Sequence, residues 1–184
     1  GEEIVVTGRI GNTTFDWKIS LEEQEHYELH KDLEIDNVKP WSPEDPELYL
    51  VELQMRKGQQ ILDDIIDRFG FREICVEGQK ILLNGKSLRI KGVCRHEDHP
   101  DYGCALPYQA IYNDLVLIQQ MGANSIRTAH YPNDEIFLDL CDELGILVWE
   151  ENHARGLEED RMRHPLFEAQ AEAVIREMIL NHYN

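Results

Sequence analysis

The sequence predicts two regions of different fold class, an antiparallel β-sandwich followed by an α/β region with a parallel sheet. Two observations support this prediction. Up to about Val76, short β-rich segments alternate with turn signals such as GNT and WSPEDPE, which is the spacing of antiparallel strands. From residue 88 onward a strand pattern is followed by a helix pattern three times, as in βαβ units. We therefore place the domain boundary between residues 1–76 and 77–184.

The first region is predicted to hold five strands joined by loops. Pro40, Pro43 and Pro46 confine their segment to a loop or a sheet edge, because proline cannot donate a hydrogen bond to a neighbouring strand. After these strands, LLNGKSLRI (82–90) predicts a tight hairpin, because Asn84 and Gly85 tolerate the positive φ angles of a two-residue turn. The strand segments are EIVVTGRI (3–10), TTFDWKI (13–19), HYELHKDLEI (26–35), LYLVELQMR (48–56) and REICV (72–76).

The second region alternates strands with helices that each carry one apolar stripe. Gly122 ends a helix predicted near 108–121, and Gly145 ends the next one. A cap at Asn133, Asp134 and Glu135 begins that second helix, and Pro165 opens the third. The strands are LRIKGV (88–93), NSIR (124–127) and ILVW (146–149). The predicted buried stripes are Ile111, Leu115 and Ile118, then Phe137, Leu140, Cys141 and Leu144, then Phe167, Ala171, Val174 and Met178.

Composition narrows the expected partners and compartment. The 184 residues carry a formal net charge of -18 at pH 7, which argues against nucleic acid or an anionic membrane surface as a partner. No apolar run reaches membrane-spanning length, and the first residues lack a signal-peptide pattern. Cys75, Cys94, Cys104 and Cys141 form no CxxC pair, so reduced thiols and a cytoplasmic location are expected.

Polar side chains follow the predicted end of each strand in the second region. The carboxyl ends of parallel strands meet on one face, where α/β proteins place their active sites. Solvated loop side chains, a surface charge pair or an ion pair of Arg127 at the rim are the alternatives. We favour a functional site, because polar residues recur at the same point of three successive units. They are Arg95, His96, Glu97, Asp98 and His99, then Arg127 and His130, then Glu150 and Glu151.

A metal site is the main alternative chemistry for these residues. His96, His99, His130 and Glu151 are ligand types that zinc accepts, although their spacing matches no HExxH helix. Serine hydrolase chemistry is not supported, because no GxSxG surrounds any serine. Phosphate and dinucleotide binding are not supported either, because the sequence has no P-loop and no GxGxxG.

Several long motifs resemble glycoside hydrolase family 2, the family of β-galactosidases, β-glucuronidases and β-mannosidases. They are YLVELQMRKGQQILDDIIDRFGFREICVEGQKILLNGKSLRIKGVCRHEDHPDYG, DLVLIQQMGANSIRTAHYPNDEIFLDLCDELGILVWEE and EMILNHYN, and they occur in the family's order. The resemblance covers roughly residues 40–184. It implies an immunoglobulin-like β-sandwich followed by the first three βα units of a catalytic (β/α)8 TIM barrel.

The resemblance also implies roles for the polar residues. His99 in RHEDHP would line the pocket for the terminal sugar. In RTAHYPN, Arg127 would hold the nucleophilic carboxylate, and His130 would contact the sugar ring and favour an oxocarbenium-like transition state. Glu151 would support the pocket. The substrate-binding candidates are His96, His99, His130, Glu150 and Glu151.

The two carboxylates that cleave the glycosidic bond are expected outside this sequence. Retaining glycosidases place an acid/base and a nucleophile about 5 Å apart, and in the family these glutamates follow the fourth and seventh barrel strands. A closed barrel takes about 250 residues, and fewer than half that number follow Leu88. We therefore expect a fragment of a larger glycosidase that is inactive on its own.

The expected substrate is a terminal β-linked sugar, and β-galactosides are favoured because HEDHPDYG looks like a galactosidase turn. A β-glucuronidase of the same family and a non-catalytic carbohydrate-binding or complementing module are the alternatives. The expected partners are the carbohydrate and the rest of the glycosidase chain, with a homo-oligomer as the full-length form. No cofactor is firmly expected, although a divalent or sodium ion in the full-length enzyme stays open.

Overall fold

The computed structural model describes residues 2–21 and 28–183, which fold into two compact units. Within these residues, the first unit extends to Pro40 and resumes over Glu47–Phe71. The second unit comprises Trp41–Pro46 and the chain from Arg72 onward. Residues 72–76 therefore group with the second unit, although the sequence pattern places them in the first.

The first unit is built on one four-stranded antiparallel sheet. Its β1–β2 and β3–β4 hairpins turn at Gly11 and Gly58, whose φ angles are 56° and 58°. The ring of Phe15 lies across Gly8, where an added Cβ would approach the ring to 2.2 Å, so any larger residue would force the ring to move. The strands are β1 (Glu2–Ile10), β2 (Thr13–Leu21), β3 (Tyr49–Lys57) and β4 (Gln60–Phe69), in the order β2-β1-β3-β4.

The sequence pattern does not predict strand β4. Its segment QILDDIIDRF carries Asp63, Asp64 and Asp67 and has no regular apolar alternation. Strand β4 lies at the edge of the sheet and is mostly exposed. Charged side chains are common on such strands because they oppose pairing with another chain. The alternation rule fails here because neither face of the strand is covered.

One expectation for the first unit is corrected. In HYELHKDLEI, His26 and Tyr27 lie outside the described residues, and residues 28–35 form no strand. Most of these residues are exposed, so their alternation of polar and apolar side chains does not mark a buried face. The described part of the first unit contains one sheet, so the second sheet of the predicted sandwich stays a prediction.

The second unit begins with a small antiparallel sheet. Its strands are β5 (Ile74–Glu77), β6 (Lys80–Leu83) and β7 (Lys86–Ser87). The predicted hairpin is confirmed, because Asn84 and Gly85 have φ angles of 51° and 73° between β6 and β7. Strand β5 pairs with β6, so the prediction that REICV belongs to the sandwich is wrong. The sheet to which a strand belongs depends on its pairing partner, and the strand pattern in the sequence does not reveal that partner.

Three parallel strands position the polar residues. They are β8 (Gly92–Arg95), β9 (Ser125–Thr128) and β10 (Leu147–Trp149), in the order β10-β9-β8. Strand β8 begins later than the predicted 88–93. The side chain of Asn124 accepts the N–H of Lys91 at 2.8 Å and donates to the carbonyl oxygen of Arg89 at 3.0 Å. It thereby occupies backbone groups that a strand would use.

Helices follow the parallel strands. Helix α1 (Tyr108–Gln120) follows β8, and α2 (Glu135–Leu144) follows β9. A short helix, α3 (Glu159–Met162), and the longer α4 (Phe167–His182) follow β10. The predicted order of a β domain and then an α/β domain is confirmed. No helix in the described ranges is long and apolar enough to cross a membrane.

Helices α1 and α2 bury their predicted stripes in one core. Asp134 caps α2 by accepting the N–H of Ile136 at 2.8 Å, whereas Asn133, predicted as part of the cap, is buried just before it. Gly145 ends α2 with a φ angle of 73°. An added Cβ there would lie 2.3 Å from the carbonyl oxygen of Pro43. The core comprises Ile111, Leu115, Ile126, Phe137, Leu140, Cys141 and Ile146.

Candidate functional site

The parallel register sets the ends of the three strands side by side. Cys94 of β8, Arg127 of β9 and Trp149 of β10 lie at the same level of the sheet. The residues that follow these strands therefore emerge at one edge, the carboxyl edge of the sheet. This register brings Arg127, His130 and Glu151 into contact, and we call these three residues the strand-end cluster.

The carboxylate of Glu151 binds both other members of the strand-end cluster. Its Oε1 accepts a hydrogen bond from Nε of Arg127, and its Oε2 lies 2.9 Å from Nδ1 of His130. The pKa of Glu151 is lowered chiefly by the hydrogen bond from Arg127, and to a smaller extent by the one from His130. The pKa of Arg127 is raised, chiefly by the same contact with Glu151. Both groups are therefore charged at neutral pH.

The contact with Glu151 determines which nitrogen of His130 carries a hydrogen. An ionised carboxylate only accepts hydrogen bonds, so Nδ1 of His130 must donate to it. In the neutral ring Nε2 is then the acceptor. A sugar hydroxyl can donate to a nitrogen of this kind.

Arg127 has neighbours at all three guanidinium nitrogens. Besides the Nε contact with Glu151, Nη1 lies 3.7 Å from Sγ of Cys94, and Nη2 lies 3.5 Å from Nδ1 of His130. The Arg127 side chain is nevertheless 45% exposed. The cluster therefore combines a fixed orientation with access from solvent.

Buried groups fix the backbone around the strand-end cluster. Thr128 is fully buried, and its Oγ1 accepts the N–H of Glu151 at 3.3 Å. The hydroxyl of Tyr131 accepts the N–H of Glu97 at 2.9 Å. The sequence analysis did not single out Thr128 or Tyr131, because their partners lie 23 and 34 residues away along the chain.

His96 borders the strand-end cluster. Its ring centroid lies 5.3 Å from that of His130, with an angle of 74° between the ring planes. The ring centroid of Tyr131 lies 6.5 Å from that of His96, with an angle of 67° between the ring planes. His96 therefore extends the strand-end cluster by an edge-to-face contact with His130. Its side chain is exposed, so it remains open to solvent.

His99 lies in a separate turn. Its backbone exchanges two hydrogen bonds with Gly103, at 3.0 and 2.8 Å, and its ring stacks on Tyr102 with centroids 4.8 Å apart. Nδ1 of His99 accepts the N–H of Asp101 at 3.1 Å, so Nε2 carries the hydrogen in the neutral ring. His99 therefore offers a donor where His130 offers an acceptor.

Glu150 has different partners from its neighbour Glu151. Its Oε1 accepts the N–H of Asn133 at 3.2 Å, and its Oε2 lies 2.8 Å from Nδ1 of His182. Only 12% of the Glu150 side chain is exposed. The structure therefore separates two glutamates that the sequence analysis grouped together, and it adds His182 and Asn133 to the surroundings of the site.

Arg95 is a buried cation that ties β8 to the helices. Its guanidinium lies 3.1 Å from the carboxylate of Asp114 in α1 and 3.4 Å from that of Glu97. It also lies 5.0 Å from the ring centroid of Phe137 in α2. A buried charge needs such partners, so Arg95 serves the packing of the unit rather than the exposed edge.

The zinc alternative has no geometric support in the part of the chain that the structure describes. Within residues 2–21 and 28–183, no three His, Cys, Asp or Glu side chains are arranged to hold a metal ion. His130 and Glu151 are hydrogen-bonded to each other, and His99 occupies its own turn. The four cysteines are free thiols.

Family models match nearly the whole chain. The model described as "Glycosyl hydrolases family 2, TIM barrel domain" matches residues 74–178. The model described as "Glycosyl hydrolases family 2" matches residues 2–72.

Solved structures of similar proteins cover the whole chain. A GH2 β-galacturonidase from Eisenbergiella tayi, bound to galacturonate, is 57% identical with a TM-score of 0.93, over 100% of this chain and 33% of that one. A β-glucuronidase from Bacteroides uniformis is 33% identical with a TM-score of 0.89, over 100% of this chain and 23% of that one. This chain thus spans a third or less of these proteins. On these matches and on its own strand-end motifs, the chain belongs to glycosyl hydrolase family 2.

Proposed function

We propose that this chain is part of a larger retaining β-glycosidase and forms part of its pocket for the terminal sugar. The observation that carries the proposal is the contact of Arg127, His130 and Glu151 at the carboxyl ends of parallel strands. Strands β8, β9 and β10 would be the first three of a closed eight-stranded barrel, which takes about 250 residues. The share of the E. tayi protein that the chain spans, 33%, is consistent with this reading.

The residues at this edge suit different parts of a pyranose. An acceptor on His130 and a donor on His99 can bind sugar hydroxyls in a defined direction. Glu151 keeps His130 oriented, and its negative charge favours the positive charge that develops on the sugar ring in the transition state. Arg127 would orient the nucleophilic carboxylate, which comes from a strand outside this chain. His96 and Glu150 would complete the surroundings.

We propose β-linked galacturonic acid as the terminal sugar. The sequence analysis favours β-galactosides, and galacturonic acid keeps the C4 configuration of galactose while carrying a carboxylate at C6. The similarity to a β-galacturonidase bound to galacturonate, at 57% identity, supports this choice. A β-glucuronide is the second candidate, because a β-glucuronidase matches the whole chain at 33% identity.

A panel of four chromogenic substrates separates these candidates. The p-nitrophenyl β-glycosides of galacturonic acid, glucuronic acid, galactose and glucose vary the C4 configuration and the C6 oxidation independently. We expect the full-length glycosidase to have its highest kcat/KM on the galacturonide, at least about tenfold above the galactoside, because a site built to pair a charged group rejects analogues that lack it.

Two results of the panel would contradict the proposals separately. A preference for the galactoside over the galacturonide would contradict the uronic acid. Failure to hydrolyse any of the four substrates would contradict the glycosidase function itself. The inactivity of the 184-residue chain alone, the homo-oligomer, the divalent or sodium ion and the cytoplasmic location stay predictions.

A further inference from the structure

His182 and Glu150 form a nearly buried pair beside the strand-end cluster. Nδ1 of His182, the last residue of α4, lies 2.8 Å from Oε2 of Glu150. The two side chains are 15% and 12% exposed. Because a carboxylate only accepts hydrogen bonds, Nδ1 of His182 donates to Glu150. The sequence analysis found no role for His182.

Glu150 connects the two segments that carry the strand-end cluster. It directly precedes Glu151 in the chain, and its other oxygen accepts the N–H of Asn133. Asn133 is buried and lies three residues after His130 in the same loop. The Glu150 carboxylate therefore fixes the His130 loop against the strand end that carries Glu151, and His182 holds that carboxylate in place.

We propose that His182 is a positioning residue for the sugar site, acting through Glu150 on the contact between His130 and Glu151. This inference rests on the proposed function, because the sugar site is itself proposed. A misplacement of about 1 Å can cost about 100-fold in rate. A small shift of the His130 loop is therefore enough to impair the reaction.

Helix α4 has other attachments, so loss of this hydrogen bond is expected to leave the fold intact. Nη2 of Arg72 donates to the carbonyl oxygen of Tyr183 at 3.3 Å, just beyond the helix. Four further side chains of the helix are partly buried on one face, and they are Phe167, Ala171, Val174 and Met178. Positioning by His182 can therefore be measured apart from the stability of the helix.

The test compares His182→Leu with His182→Asn in the full-length glycosidase. Nδ2 of asparagine takes the place of Nδ1 of histidine, whereas leucine has no donor. We expect His182→Leu to lower kcat about tenfold with KM within about twofold of wild type, and His182→Asn to restore most of kcat. Arg176→Leu is the matched control, because Arg176 lies on the same helix in an exposed pair with Glu172. It should leave kcat unchanged.

An unchanged kcat in His182→Leu would overturn the inference, and so would an equal loss in His182→Asn. If His182→Leu does not fold, His182→Gln replaces it, because the donor of glutamine corresponds to Nε2 rather than Nδ1, and the same loss is expected. The assay uses whichever of the four β-glycosides the wild type hydrolyses fastest, so a wrong sugar does not affect it.

The inference can also be tested without catalysis. If the wild type hydrolyses no β-glycoside, the proposed function fails while the His182 contact is still measurable by ¹⁵N NMR of the imidazole. A protected Nδ1–H signal of His182 that disappears in Glu150→Ala would support the contact. The absence of that signal in the wild type would contradict it.

Discussion

Among single residues, one carboxylate organises the candidate site. Glu151 binds Arg127 and His130 together, so a side chain that follows β10 orients one in β9 and one just after it. The sequence analysis placed all three at one edge, because repeated βα units imply a parallel register. It did not separate the roles of Glu150 and Glu151. Neighbours in an extended segment point to opposite sides, and the partners of Glu150 lie 17 and 32 residues away.

His130→Ala is expected to lower kcat/KM of the full-length glycosidase by about 100-fold or more, because it removes the nitrogen that accepts a sugar hydroxyl and one of the two partners of Glu151. The fold should survive, since His130 lies in the loop after β9 and outside the buried core. Kinetics on the best of the four β-glycosides, together with thermal unfolding, check both points. His30→Ala is the control, because that histidine is 86% exposed. Equal kinetics for the two variants would refute the role of His130.

Glu151→Gln is expected to remove an acid-sensitive part of the stability. The pKa of Glu151 is lower in the folded state than in the unfolded chain, where glutamate titrates at about 4.3, because Arg127 and His130 bind its ionised form. Such a group stabilises the fold above its unfolded pKa, and this contribution is lost as the pH falls through the folded-state pKa.

Melting temperatures measured against pH check this expectation. The melting temperature of the wild type should exceed that of Glu151→Gln by most at about pH 6. This difference should shrink as the pH falls below about 4. Glu172→Gln, in an exposed pair on α4, should show little difference from wild type at any pH. A wild-type advantage over Glu151→Gln that does not change with pH would contradict the assigned ion pair.

Among the helices and strands, turns and helix ends set by local chemistry were predictable, whereas strand β4 and the sheet of strand β5 were not. The two-residue turn at Asn84 and the end of α2 at Gly145 follow from φ angles that few residues adopt. Strand β4 was missed because it is mostly exposed and its sequence has no apolar alternation. Strand β5 was assigned to the wrong sheet because its partner β6 follows it in the chain rather than preceding it.

Gly145→Ala should destabilise the second unit more than Gly122→Ala does. Both glycines have positive φ angles, 73° and 81°, so alanine costs about 1–2 kcal/mol at either position. At Gly145 the added Cβ would also lie 2.3 Å from the Pro43 carbonyl oxygen, whereas nothing lies within 4 Å at Gly122. This clash should add about 1–3 kcal/mol, measurable by denaturant unfolding. Equal losses for the two variants would show that the Pro43 contact relaxes freely.

For the whole molecule, every candidate site residue lies in the second unit, on or just after the parallel sheet or at the end of α4. The order of domains and the family were predictable, because the motifs carry both the strand ends and the helix stripes. The terminal sugar was less predictable, because groups that recognise a C6 carboxylate are expected in segments outside this sequence. The sequence therefore predicts the strand-end cluster better than it predicts the sugar that we propose to bind there.

A crystal structure of the full-length glycosidase with bound galacturonate tests the central claim most directly. We predict a sugar hydroxyl oxygen within about 3.2 Å of Nε2 of His130, with Glu151 on the opposite nitrogen of the same ring. Galacturonate bound beyond hydrogen-bonding reach of His130 would contradict the assignment of the strand-end cluster to the sugar site.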